Sequence, residues 1–244
     1  MTTTEFSREF DIRFNFINSN LAFSVNGYEK SVYLTRAQEE IVSNYFNAKG
    51  NKYGEGFDMS EKRHIDFSSI TDTKSISIKH STIISYMNNG LVFEIPDDVL
   101  YVINEKFNYL KSDGVAVKTS VSHLGYKAAQ VVMTKPYQSP PSRQSWSIVR
   151  GNATGGHLIV EVIPKANIDI TKVFSYSVRY IKRPTPIIVE TLIAGQSVNG
   201  ISAITECILP SEIHDEVLAR AIEICKCDYL GELKSQVELN QRNE

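Results

Sequence analysis

The side chains of this chain most able to do chemistry are its cysteines, histidines, acids and glycine-rich turns. Their spacing assembles none of the familiar sites. Cys225-Lys226-Cys227 has one residue between the thiols, too few for a thioredoxin-type pair. No second Cys/His pair stands at a spacing that would complete tetrahedral zinc. On a helix Cys225 falls on an apolar stripe and Cys227 off it, so Cys225 is expected to pack as a small hydrophobe. The five histidines, His64, His80, His123, His157 and His214, form no H-x-x-x-H or H-E-x-x-H arrangement. His214, beside Asp215 in the first turn of a helix, is expected to be solvated. Gly151 to Gly156 lacks the Gly-Lys-Ser/Thr ending of a phosphate cradle and leads into a strand pattern, so it reads as a hairpin turn. No G-x-S-x-G elbow offers a serine nucleophile. Asp58, Glu61, Asp66, Asp97 and Asp98 could hydrolyse a bond only if two were held at a defined separation across a cleft. Solvated acidic loops are the commoner outcome. No catalytic residue, cofactor or metal is assigned, and the chain is read as not an enzyme.

One other group has functional types. Lys182 and Arg183, with Arg179, Tyr180 and Arg143, form a small basic–aromatic set that could touch a nucleic-acid backbone. It could equally pair with acids on a neighbouring subunit. The formal net charge of −2 favours the second reading.

The totals bound what can position these residues. A chain of 244 residues makes one large domain or two modest ones and can bury a core without disulfides or metals. Hydrophobic content of 42% with 22% charged residues is ordinary for a globular protein. Three cysteines are not a disulfide framework and point to a reducing compartment. Met1 to Phe6 has neither a basic n-region nor an apolar h-region, so no signal peptide is expected. No apolar run reaches membrane-spanning length. A soluble protein made in a cytoplasm is expected, without a membrane partner.

Along the chain, Phe10, Ile12, Phe14 and Phe16 alternate with polar residues and predict a strand or extended arm. Thr35 with Gln38 predicts a capped helix over Arg36 to Ala48, with a stripe of Ala37, Ile41 and Tyr45 widened by Val42 and Phe46. Asn51 to Arg63 reads as an exposed loop. Strands are expected at Ser75–Ile78, Leu91–Ile95 and, as strand or short helix, Val99–Leu110. Hairpins are expected around Asp113-Gly114 and around Gly151–Gly156. Leu124 to Met133 suggests a short helix capped by Ser122, and Lys135 to Pro141 an extended connector. Phe174 to Tyr180 is the cleanest strand, with its large apolar residues on one side. Ile187-Ile188-Val189 continues an extended run after Pro184 and Pro186. A final helix opens at Ser211 and runs to about Val237, its first turn acidic and its stripe built from Ile213, Val217, Ala221, Ile224 and Cys225.

Several of these segments, taken in order, resemble a virion protein family. They are Glu5 to Asn15, Tyr28 to Val42, Lys135-Pro136-Tyr137 through Trp146, Val178 to Ile188, Cys207 to Pro210 and His214 to Val217. The order is similar to the ring proteins of the head–tail connector and tail barrel of crAss-like tailed bacteriophages, over nearly the whole chain. The resemblance implies a structural homo-oligomer, a dodecameric ring below the portal, with portal and other ring and tail proteins as partners. It also implies a lumen through which DNA passes without sequence-specific binding, and a place in the virion after assembly in the host cytoplasm. It carries no catalytic residues.

The fold expected is α+β: a central antiparallel β-sandwich-like region with N- and C-terminal helices packed together. Residues 1–244 are read as a single protomer, helical over about 34–50 and 210–239 and β-rich over about 64–190. Arms and hairpins could add strands to a neighbour's sheet edge. Phe10, Phe14, Phe16, Tyr180, Lys182, Arg183, Pro184 and Pro186 are the candidate subunit contacts. Two rival readings remain: a tail-associated glycan-binding or hydrolytic module built on the acids at 58–66, and a DNA-binding adaptor.

Overall fold

The computed structural model describes residues 1–15, 25–46, 61–76, 90–110, 114–135, 140–141, 143–151, 158–165 and 173–242, the last helix as backbone alone beyond Tyr229. The chain forms two compact units, one from Met1–Ile70 with Arg183–Glu244 and the other from Thr71–Lys182. The first is helical and the second is a sheet. The chain thus adopts an α+β fold, and its N- and C-terminal helices pack together as expected.

The N-terminal segment is a helix, α1 (Thr3–Asn15), where the alternation of Phe10, Ile12 and Phe14 predicts a strand. Phe6, Phe10 and Phe14 also recur at every fourth residue, and that period wins: all three are buried, while Ile12 is 51% exposed on the far side. A capping box decides the start. Thr2 N–H donates to Glu5 Oε2 at 2.8 Å, and Glu5 N–H to Thr2 Oγ1 at 3.3 Å.

The second helix, α2 (Gly27–Phe46), begins earlier than the Thr35 cap predicts. The box that opens it is Asn26 with Glu29: Glu29 N–H donates to Asn26 Oδ1 at 2.8 Å, and Asn26 N–H to Glu29 Oε2 at 3.0 Å. Thr35 is interior, its hydroxyl donating to the Ser31 carbonyl at 2.7 Å. Ala37, Ile41 and Val42 are buried as expected. The stretch predicted as loop to Arg63 lies outside the described residues up to position 60, and its end is helical: α3 (Glu61–Asp66). Arg63 holds it down, with its guanidinium 5.5 Å from the Tyr45 ring centroid.

The last helix, α5 (Ser211–Arg242), starts where expected and buries Ile213, Val217, Ala221 and Cys225. It packs on α2 and α1. Phe6 meets the His214 ring at 5.2 Å, and Phe14 meets Tyr229 at 5.9 Å. At the rim Arg220 forks onto Glu40, with nitrogen–oxygen distances of 2.6 and 3.0 Å, and Lys30 joins α2 to Asp11 of α1 at 2.7 Å. A rim pair such as Arg220–Glu40 is worth roughly 0–1 kcal/mol. The apolar faces carry the stability.

Between the sheet and α5 runs an irregular stretch whose backbone is tied down by α2. Ser31, Thr35 and Gln38 stand at i, i+4 and i+7 on one buried face. Val189 N–H donates to Ser31 Oγ at 3.1 Å and Ile187 N–H to Thr35 Oγ1 at 3.1 Å. Gln38 Nε2 donates to the Thr185 carbonyl at 2.8 Å. Three helix side chains thus do the work of a neighbouring strand. On its other edge Ile188 exchanges both backbone bonds with Thr205.

The sheet unit contains β1 (Thr71–Ile76), β2 (Leu91–Glu94), β3 (Val99–Leu110), β4 (Ala116–His123), α4 (Tyr126–Met133), β5 (Gln144–Arg150), β6 (Ile159–Ile163) and β7 (Val173–Lys182). The strand order is β1-β7-β3-β4-β5-β6-β2. Every pairing is antiparallel except β4 with β5, and the helix α4 makes that parallel crossover. Tyr126 opens α4 after Gly125, with no side-chain cap; the expected cap, Ser122, stays in β4, where its hydroxyl accepts from Gln144. Both expected hairpins form, as β3–β4 and β5–β6, with Gly114 at φ +80° where the first returns. The sheet curls: the rings of Phe93 on β2 and Tyr176 on β7, with four strands between them in the order, lie 4.5 Å from each other. Its two ends therefore face one another across a shared core of Phe93, Phe107, Val160, Val162, Tyr176 and Tyr180, as two layers of a sandwich would. The opposite face is covered over β5 and β6 by α4, where Ala129 packs on Ile148 and Ile163.

Candidate functional site

The reactive side chains do not converge. Among the described residues no three of His, Cys, Asp and Glu meet in a group able to hold a metal. Cys225 is fully buried and burial pushes its thiol up to about 12, so it is an unreactive core residue, as its stripe position predicts. Cys227 is exposed. Cys207 donates to Gln38 Oε1 at 3.3 Å. His214 departs from expectation. It is buried beneath Phe6, with Nε2 2.8 Å from the Leu209 carbonyl and Nδ1 2.7 Å from the amine of Met1. The α1–α5 contact removes it from water. Of the acids, Asp58 lies outside the described residues, Asp66 is buried, and Asp97 and Asp98 are exposed beside β3.

One buried polar cluster sits inside the curled sheet. Glu105 Oε2, Ser147 Oγ and Tyr176 Oη are shielded from solvent, and none has a hydrogen-bond partner. Burial holds the Glu105 carboxyl above the ordinary carboxylate range; Ser147 and Tyr176 lie near enough to oppose that shift without closing a hydrogen bond. Tyr176 is raised by its own burial and then by Glu105.

The predicted contact residues divide by burial. Phe10 and Phe14 are inside the helical unit and Phe16 lies outside the described residues. Tyr180 points into the sheet core, its hydroxyl reaching Asp98 at 3.3 Å and pushed up to about 12 by burial. Pro184 and Pro186 are buried beside α2. Lys182 pairs with Asp72 at 2.8 Å, which holds the lysine above and the aspartate below their ordinary ranges. Arg183 is exposed. The basic–aromatic set does not assemble: Tyr180 and Arg179 occupy opposite faces of β7, and Arg143 precedes β5, three strand positions away in the sheet.

A surface that the motif reading passes over is better formed. Between Glu190 and Glu206 no residue carries a charge. This stretch is exposed yet ordered by its own backbone. Leu192 N–H donates to the Ser202 carbonyl at 3.1 Å, and Val198 and Ile201 exchange bonds of 2.9 and 3.0 Å. The turn they close is Asn199-Gly200, with φ of 50° and 82°, the pair of positive angles a two-residue hairpin needs. Asn199 Nδ2 ties the tip to Glu39 of α2 at 3.0 Å. Ile188, Leu192 and Val198 face inward against Tyr28 and Val32. Ile193 and Ile204 face out, 75% and 52% exposed, with Ile208 beyond them. The stretch thus presents exposed isoleucines on a backbone-bonded loop without charged side chains. The absence of charge is legible in the residues. Their outward direction is not.

A family model described as phage tail ring protein 3/4 matches residues 1–235. Ring protein 4/5 of Bacteroides phage crAss001 is 41% identical over 248 aligned positions, covering 100% of both chains. Ring protein 3 of the same phage is 28% identical over 228 positions, covering 92% of this chain and 94% of its own.

Proposed function

The chain belongs to the phage tail ring protein 3/4 family, and from that premise we propose that its copies close head to tail into a ring in the virion. The full-length match to a protein named for a ring carries the reading. We take the ring to be dodecameric, to lie on the portal-to-tail axis as part of the connector or tail barrel, and to leave a lumen for DNA and ejected proteins. Its neighbours on that axis are the portal and other ring and tail proteins. The role is structural and not enzymatic. The higher identity to Ring protein 4/5 than to Ring protein 3 supports a place equivalent to the former.

A closed ring of like copies needs a heterologous interface, one surface of a copy against a different surface of the next. The uncharged loop over 191–205 supports such a contact, because Ile193 and Ile204 on it are exposed. Arg183 and Lys182 are the members of the predicted contact set whose exposure suits an interface. The test is the mass and symmetry of the purified chain, with electron microscopy of virions. A closed ring on the particle axis is expected; a single unassembled copy in the mature particle would overturn the reading.

A further inference from the structure

The face of the sheet opposite its apolar core carries a charge pattern that the ring reading does not use. Side chains alternate across a strand, so Lys106 of β3, Lys118 of β4 and Arg179 of β7 all point to this outer face. The register puts them in one line. Arg179 lies opposite Asn104, Lys106 two residues further along β3, and Lys118 opposite Asn108, two further again. The three cations thus step diagonally across three adjacent strands, at roughly 7–8 Å per step. All three are exposed. None has a carboxylate partner among the described residues, in contrast to Lys182, Arg150 and Arg220. The positions between them are Asn104, Ser177 and Ser120. No Asp or Glu shares the face on β1, β7, β3 or β4.

We propose that this face binds the phosphate backbone of double-stranded DNA, through the diagonal Lys118–Lys106–Arg179 and the serine and asparagine donors beside it. A row of cations with hydroxyl and amide donors, and no apolar anchor, is the composition of a sugar–phosphate contact that positions a duplex without reading its bases. A protein partner fits less well, since protein interfaces carry an apolar core and the side chains along the diagonal are Lys, Arg, Asn and Ser. The choice of duplex DNA as the polyanion rests on the ring reading. Three contacts per copy make a weak, salt-labile grip, which holds a duplex near the surface and releases it along its length.

The test uses the full chain and a labelled duplex of arbitrary sequence, about 30 base pairs long, with anisotropy read from about 50 to about 200 mM salt. For one engaged copy, binding is expected to weaken about 40-fold over that range, a log–log slope of roughly −3. Each of Lys106→Gln, Lys118→Gln and Arg179→Gln should bring the slope about 1 closer to zero. Lys62→Gln with Lys226→Gln, a charge change on α3 and α5, should leave it unmoved. The mass of every variant is measured alongside. A triple variant that binds DNA as the parent does would overturn the proposal and leave the ring intact. A triple variant that loses self-assembly but keeps DNA binding would assign the face to an acidic protein surface, and would also overturn it. A parent chain that fails to assemble, yet loses DNA binding in the triple variant, would sink the ring and keep this face.

Discussion

Thr35 does two things with one hydroxyl. It sits in the middle of α2, donates to the Ser31 carbonyl one turn back, and accepts from the Ile187 N–H of the irregular stretch. Thr35→Val keeps the shape and removes the oxygen, which leaves that N–H buried without an acceptor. The expected loss is about 1–3 kcal/mol, read as a lower urea midpoint at unchanged slope. Glu105 makes the opposite kind of prediction. Its folded carboxyl titrates above the ordinary glutamate value of about 4.3. The folded chain therefore keeps a proton that the unfolded chain gives up. Stability is fully present below the ordinary value and falls as pH rises through the raised one. Glu105→Gln mimics the neutral form, so urea midpoints taken from about pH 4 to about pH 7 should decline less than in the parent. An unchanged decline would mean that other groups cause it. Neither role is legible from residue type: Thr35 with Gln38 has the spacing of a helix start, and Glu105 sits in an otherwise alternating strand.

Among the elements, those specified by local signals are the ones the sequence makes readable. β7 shows its alternation, α5 opens at Ser211 with acids in its first turn, and the two hairpins follow from Gly114 and from the glycines after Arg150. Elements decided by distant partners are not readable in the same way. The phenylalanines of α1 satisfy two periods at once, and the capping box at Thr2 with the α5 face beneath selects the helix. The stretch at 185–189 has strand composition but pairs with helix side chains, a partner no local pattern announces. The cation diagonal needs the register of β7, β3 and β4, and β7 comes from far along the chain, so it could not be read in advance. The Asn199-Gly200 turn makes its own prediction. A Cβ on Gly200 meets nothing within 4 Å, so Gly200→Ala costs only its left-handed φ, about 1–2 kcal/mol. Amide exchange should speed up at Val198 and Ile201 first, before any global loss.

At the scale of the whole molecule, assembly should depend on the uncharged loop. Ile193→Asp with Ile204→Asp places two carboxylates on a stretch, 191–205, that has none, and both sites are exposed, so the fold should survive. The expected outcome is a chain with parental unfolding behaviour that no longer reaches the mass of the ring. Retention of the full assembly would remove the loop from the interface. Chain connectivity has a separate consequence. The sheet unit leaves the helical unit at residue 70 and returns at residue 183, and its first and last strands are hydrogen-bonded neighbours, with Thr71 opposite Ile181. Both leads therefore emerge from one corner, roughly 5 Å apart. A module tethered in this way is a cassette: a linker of a few glycines would bridge the two stumps once it is cut out, and a sheet of different sequence could be spliced into the same gap without re-threading the helices.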